Sequence, residues 1–161
     1  MDLLNPIAIL VAAVSALVVG FIWYHPKVFG KAWMQVAGIT DEQIKGRNLI
    51  KIFGLALVCA FLLATALPGI VIHQMGAYSL MGGDEGNALP SYFVFLADYG
   101  DAFRTYKHGA LHGILTGVFI ALPIIGINAL IERKSAKYIF INSGFWIVGL
   151  GVMGAIICGW K

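Results

Sequence analysis

Four stretches of this chain carry no acidic, lysine or arginine side chain: residues 3–26, 52–83, 108–131 and 138–160. A helix that crosses the hydrocarbon core of a bilayer needs about 20 mostly apolar residues at about 1.5 Å each. Each stretch meets that length. Ile, Leu, Val, Ala and Gly fill them without strict alternation, which argues for helices and against outer-membrane barrel strands. Composition agrees: 60% of the residues are hydrophobic and 12% are charged, where soluble domains average about 45–50% and about 25%. One buried core cannot absorb that excess. The expected fold is an all-α integral membrane protein with four transmembrane helices in a single domain. The spans are placed at 6–23, 52–72, 109–130 and 138–160, with a long loop at 73–107.

Charge orders the loops. Lys27, Lys31, Lys45, Arg47 and Lys51 lie between the first two spans, and Arg133, Lys134 and Lys137 between the last two. The other side holds Arg104, Lys107 and Lys161, with Asp2, Asp84, Glu85, Asp98 and Asp101. The positive-inside rule puts loops one and three in the cytoplasm and both termini outside. Met1-Asp2 gives no basic n-region, so the first span reads as an uncleaved anchor. The net charge of +3 comes from these loops and forms no aromatic-interleaved basic stripe, which excludes nucleic acid as a partner. Trp23, Tyr24, Phe29 and Trp33 cluster at one end of span one, and Tyr138 and Trp160 bracket span four, as interfacial aromatics do.

The loops carry their own signals. His25-Pro26 ends span one. Phe29, Trp33 and Val36 share a helix face suited to the membrane surface. Thr40-Asp41-Glu42-Gln43 reads as a capping box, opening a helix that could run into span two. In loop two, 81–87 is a glycine-rich acidic turn, and Pro90 suits the start of a helix. Tyr92, Phe95, Leu96, Tyr99, Phe103 and Tyr106 then follow helical spacing, so an amphipathic helix is expected over 91–106. It either continues into span three or folds back over it. Cys59 and Cys158 lie at depths roughly 15 Å apart by helical rise, too far for a disulfide, and are expected free.

Two stretches carry a family resemblance. Phe21-Ile22-Trp23-Tyr24-His25-Pro26 followed by Phe29-Gly30-Lys31-Ala32-Trp33 is similar to the hallmark of a bacterial membrane family catalogued as domain of unknown function 1761. Asn128 to Lys134 and Ile141-Asn142-Ser143-Gly144-Phe145-Trp146 agree with it, although Ile131 stands where an aromatic is expected. The resemblance covers nearly the whole chain. It implies a multi-pass protein of the bacterial cytoplasmic membrane, and it supplies no activity and no catalytic residues.

Two constellations bear on function. Gly109, Gly113 and Gly117 recur every four residues, a ridge that lets another helix approach closely; Gly151 and Ala155 give span four a similar patch. The ridge serves either packing inside the bundle or a seam with a second copy or a membrane partner. Pro123 is expected to kink span three. On the same helix His108 and His112 share a face. His73 ends span two on the same membrane side, and Asp98 and Asp101 precede span three. Imidazoles and a carboxylate in this arrangement could hold zinc or another transition metal, with His73, His108, His112 and Asp101 as ligands. Hydrogen bonding at the membrane edge is the favoured reading of these histidines. His25 is on the opposite side and reads as an interfacial cap.

No span carries Asp, Glu, Lys or Arg in its interior, where pumps and coupled carriers place them, and no phosphate loop, dinucleotide fingerprint or serine elbow occurs. Ser15, Thr65, Thr116, Asn128, Asn142 and Ser143 are read as polar helix-joining groups. The sequence thus favours an accessory protein that acts by helix association in a homo-oligomer or larger complex, and not an enzyme. The alternatives are a metal-binding module or metal-dependent enzyme at the His/Asp cluster, and a small-solute channel or transporter built from several copies.

Overall fold

The computed structural model describes residues 3–161. All regular structure in it is helical. Four helical stretches are long and apolar enough to cross a membrane: Pro6–Trp23, Leu49–Val71, Tyr106–Ile131 and Ala136–Gly159. They form an integral membrane bundle whose large apolar side chains point outward in numbers no soluble protein would tolerate.

Each span begins on a polar residue that satisfies its orphan amides. Asn5 Oδ1 accepts from the amides of Ile7 and Ala8 at 3.0 and 3.1 Å, ahead of Pro6 in the first turn of α1 (Pro6–Trp23). Asn48 Oδ1 accepts from Lys51 N–H at 3.0 Å and opens α4 (Leu49–Ala66), to which the short α5 (Pro68–Val71) is joined through Leu67. Thr105 caps α8 (Tyr106–Thr116) and Ser135 caps α10 (Ala136–Gly159). Span three continues from α8 through a π-turn, Gly117–Ala121, into α9 (Leu122–Ile131). There Leu122 N–H reaches back to the Gly117 carbonyl. Pro123 has no N–H to give and its ring crowds the carbonyl four residues back, so the widened turn lies just before it. The expected irregularity is therefore a π-turn upstream of the proline.

Loop one contains α2 (Gly30–Ala37) and α3 (Asp41–Lys45). The capping box is present, with Thr40 N–H donating to Gln43 Oε1 at 2.9 Å and Gln43 N–H to Thr40 Oγ1 at 3.4 Å. The helix it opens does not run into span two. It stops at Gly46, and Asn48 starts the next one. Loop two contains α6 (Gln74–Leu80) and α7 (Pro90–Tyr99). The helix expected over 91–106 ends at Tyr99, because Gly100 to Thr105 turns and Phe103 takes a left-handed φ of 63°. It is not continuous with span three.

Small side chains set the packing. Ala12, Ala13 and Ala16 of α1 and Ala60 and Ala64 of α4 are buried together with Leu150, Met153 and Ile157 of α10. The most extensive helix contact joins α8 to α10, and the glycine ridge makes it. A Cβ on Gly109 would strike the Gly154 carbonyl, one on Gly113 the Leu150 carbonyl, and one on Gly117 would lie 2.5 Å from Ile147 Cα. The ridge is thus occupied within the chain. On span four Gly151 faces Ile114, and Gly154, not Ala155, meets Gly109. Position 155 is rotated about 100° around the helix from 154, and Ala155 is half-buried beside the contact.

Polar groups inside the spans mostly turn back on their own helices. Ser15, Thr65 and Thr116 donate to the carbonyls of Ala12, Leu62 and His112 at 2.7, 2.8 and 2.7 Å. Asn142 does join helices: its Oδ1 accepts from Tyr24 O–H at 3.1 Å. Trp23 Nε1 donates to the Ile141 carbonyl at 3.0 Å, and Gly144 lies against the Trp23 ring. The segments 21–26 and 141–146, far apart in sequence, therefore meet at the end of the bundle that carries loops one and three. His25 stays at that end, where its Nδ1 accepts from Lys27 N–H at 3.2 Å. Cys59 is exposed and Cys158 buried, and both are free.

Candidate metal centre

At the opposite end, three histidines from two chain segments converge. The Thr105 hydroxyl accepts from His108 N–H at 3.2 Å and fixes the first turn of α8. With α8 so started, His108 and His112 lie one turn apart on one face, ring centroids 4.4 Å apart. His73 enters from the connection between α5 and α6. Its ring centroid is 4.8 Å from that of His108 and 5.0 Å from that of His112. One ligand nitrogen from each residue falls within 4.8 Å of the other two. His73 is exposed and the other two are half-buried, so the cluster opens to the outside of the bundle at the level where spans two and three leave the membrane.

The closest pair is His73 Nε2 and His108 Nε2, at 2.8 Å. With both rings neutral, one N–H donates and the other nitrogen accepts. Three nitrogens on a tetrahedral zinc at about 2.0–2.1 Å stand roughly 3.4 Å from one another, so small side-chain rotations convert this cluster into a ligand set.

Asp101, expected as a fourth ligand, lies outside the cluster. Its carboxylate pairs with Lys161 Nζ at 2.8 Å, and that hydrogen bond and charge hold its carboxyl below the usual carboxylate range. The loop turns at Gly100 where a continuing helix was expected, which carries Asp101 toward the chain's final residue and away from the imidazoles. Among the described residues no carboxylate or thiolate joins the three histidines.

The loop that frames the cluster is tied down by two residues that the sequence did not single out. Gln74, buried beside His73, donates from Nε2 to the carbonyls of Tyr99 and Ala102 at 2.6 and 2.9 Å. Arg104 is 7% exposed. It donates from Nε to the Cys158 carbonyl and from Nη1 to the Leu3 carbonyl, at 3.1 and 3.2 Å. A cation at the carboxyl end of α10 also complements the helix dipole there. Between these anchors Phe103 holds its left-handed backbone, and its ring sits 5.7 Å from His73 and 5.1 Å from His108 by centroids. A bulky residue in that region is strained by about 1–3 kcal/mol, and such strain clusters at functional sites.

A family model described as protein of unknown function (DUF1761) matches residues 7–158. The chain belongs to the DUF1761 family. No curated protein and no solved structure matches it. The DUF1761 match takes in the histidine cluster, the glycine ridge and both stretches that meet around Trp23 and Asn142.

Proposed function

We propose that this DUF1761 protein is a transition-metal-binding membrane protein, with His73, His108 and His112 as a three-imidazole site for zinc or a similar ion. The observation that supports it is the convergence of three ligand nitrogens within 4.8 Å from two separate chain segments. An i, i+4 histidine pair plus a third imidazole is a borderline-soft nitrogen set, which suits zinc, copper or nickel over magnesium or calcium. Three protein ligands leave one coordination position for water or an incoming group, the pattern of metal sites that react and not of closed structural ones. The strained Phe103 beside the cluster favours the same reading. The alternative of association along the glycine ridge loses that ridge to span four of the same chain.

The membrane is the bacterial cytoplasmic membrane in this reading. Lys27, Lys31, Lys45, Arg47, Lys51, Arg133, Lys134 and Lys137 lie at the cytoplasmic end, and the metal site and both termini face outward. A cysteine placed at Gly83 is then labelled by an impermeant reagent on intact cells and one at Ser135 is not; labelling at Ser135 reverses the orientation.

Zinc titration of purified protein, followed with a competing chelator dye, tests the metal reading. One equivalent binds per chain. His108→Ala weakens binding by more than about 100-fold, beyond the range seen for outer-shell partners. Each ligating imidazole must be neutral, so acidification weakens binding. Equal zinc uptake by wild type and His108→Ala overturns the proposal.

A further inference from the structure

The end of the bundle away from the histidines holds a groove of about 400 Å³ between the basic-side halves of α1 and α4. It exists because Gly20 on α1 and Ala56 on α4 have little or no side chain to close it. Phe145 of α10, with Trp33 and Ile44 from the two short loop-one helices, completes the lining. Phe21 and Phe53 stack across the same two spans, ring centroids 4.9 Å apart.

The lining is apolar apart from the Trp33 indole N–H, the Tyr24 hydroxyl and Arg47. The Tyr24 hydroxyl already donates to Asn142. Arg47, in the link between α3 and α4, is exposed and has no ion-pair partner among the described residues. The same loop region carries Lys27, Lys31, Lys45 and Lys51 against Asp41 and Glu42, and those two acids sit at the far end of α3 from Arg47.

We propose that this groove binds one anionic phospholipid from the leaflet on the basic side, with an acyl chain in the slot and the phosphate on Arg47. An apolar slot with one unpaired cation at its edge matches an amphiphile with an anionic head. Guanidinium recognises phosphate through paired N–H donors, and basic pockets between spans are a known mode of anionic headgroup binding. The slot lies along segments that cross the membrane, so the surrounding lipid reaches it directly and a water-soluble anion does not. The site is independent of the histidine cluster.

Native mass spectrometry of the full chain, mixed with equal amounts of phosphatidylglycerol and phosphatidylcholine, tests it. One phosphatidylglycerol is retained in preference to phosphatidylcholine. Arg47→Ala reduces that preference by about fivefold, the effect of one basic residue at an anionic surface, and Arg47→Lys keeps part of it. Ala56→Leu fills the slot and lowers retention of both lipids. Equal retention of the two lipids by wild type, an unchanged preference in Arg47→Ala, or undiminished retention in a folded Ala56→Leu overturns the proposal. Arg47 is exposed, so its variant decides the matter if Ala56→Leu does not fold.

Discussion

Phe103 concentrates the local strain beside the histidine cluster. Its φ of 63° places a bulky side chain where L-residues are strained, and its carbonyl accepts from Thr105 N–H at 2.8 Å to close the turn. Alanine keeps the strain and loses the ring, whereas glycine loses both. Phe103→Gly is therefore expected to be more stable than Phe103→Ala by about 1 kcal/mol, read as a higher melting temperature in the same detergent. Equal melting temperatures would mean the backbone relaxes without cost. Asp101 gives a second test. Its carboxyl is held below the usual range by Lys161, so the pair stabilises the fold above the ordinary carboxylate range and that contribution disappears as pH falls through the lowered folded-state value. Lys161→Ala should melt slightly below wild type near neutral pH and converge with it in acid. The effect is small because both side chains are more than half exposed. The histidine cluster was legible in the sequence because His108 and His112 are one turn apart and the span count puts His73 on their side. The exclusion of Asp101 was not legible, because its partner Lys161 is sixty residues away in the chain and the turn that separates it from the histidines rests on Phe103, whose backbone no local signal marks.

At the scale of elements, the packing of α8 on α10 decides how the ridge functions. A leucine at Gly113 would have to displace the backbone carbonyl of Leu150, and backbone yields less readily than a flexible side chain. Gly113→Leu should cost about 3 kcal/mol, the upper end for overpacking, and lower the melting temperature while leaving the detergent-extracted mass per particle unchanged. A halved particle mass with unchanged melting would instead place the ridge between copies. The first span was legible to the residue, because Asn5 and Pro6 precede its apolar run; spans two, three and four begin earlier than the expected 52, 109 and 138, at Leu49, Tyr106 and Ala136, where the caps Asn48, Thr105 and Ser135 start them. The end of α7 was not, because Tyr99, Phe103 and Tyr106 keep helical spacing straight through the break. Nor could spacing alone choose the partner of the ridge: Gly109, Gly113 and Gly117 suit any close helix, and the facing carbonyls of Leu150 and Gly154 belong to tertiary structure. The clamps from Gln74 and Arg104 were hidden for the same reason, since they bind remote backbone carbonyls, which carry no sequence signature.

The whole molecule has two differently equipped ends. One gathers basic residues, aromatic packing and the joined family stretches around Trp23 and Asn142. The other gathers both termini, the ordered loop two and three imidazoles, with Asn5 Nδ2 donating to the Lys161 carbonyl at 3.4 Å across the chain ends. Between them the span interiors carry no Asp, Glu, Lys or Arg. The proposed metal site lies at the histidine end. Zinc K-edge X-ray absorption on the zinc-loaded, dialysed protein tests that most directly. One zinc is expected to be retained, with three imidazole nitrogens and one further light ligand at about 2.0–2.1 Å, and with a changed shell in His108→Ala. Zinc lost on dialysis, or a shell of oxygens indifferent to His108→Ala, would contradict the proposed site.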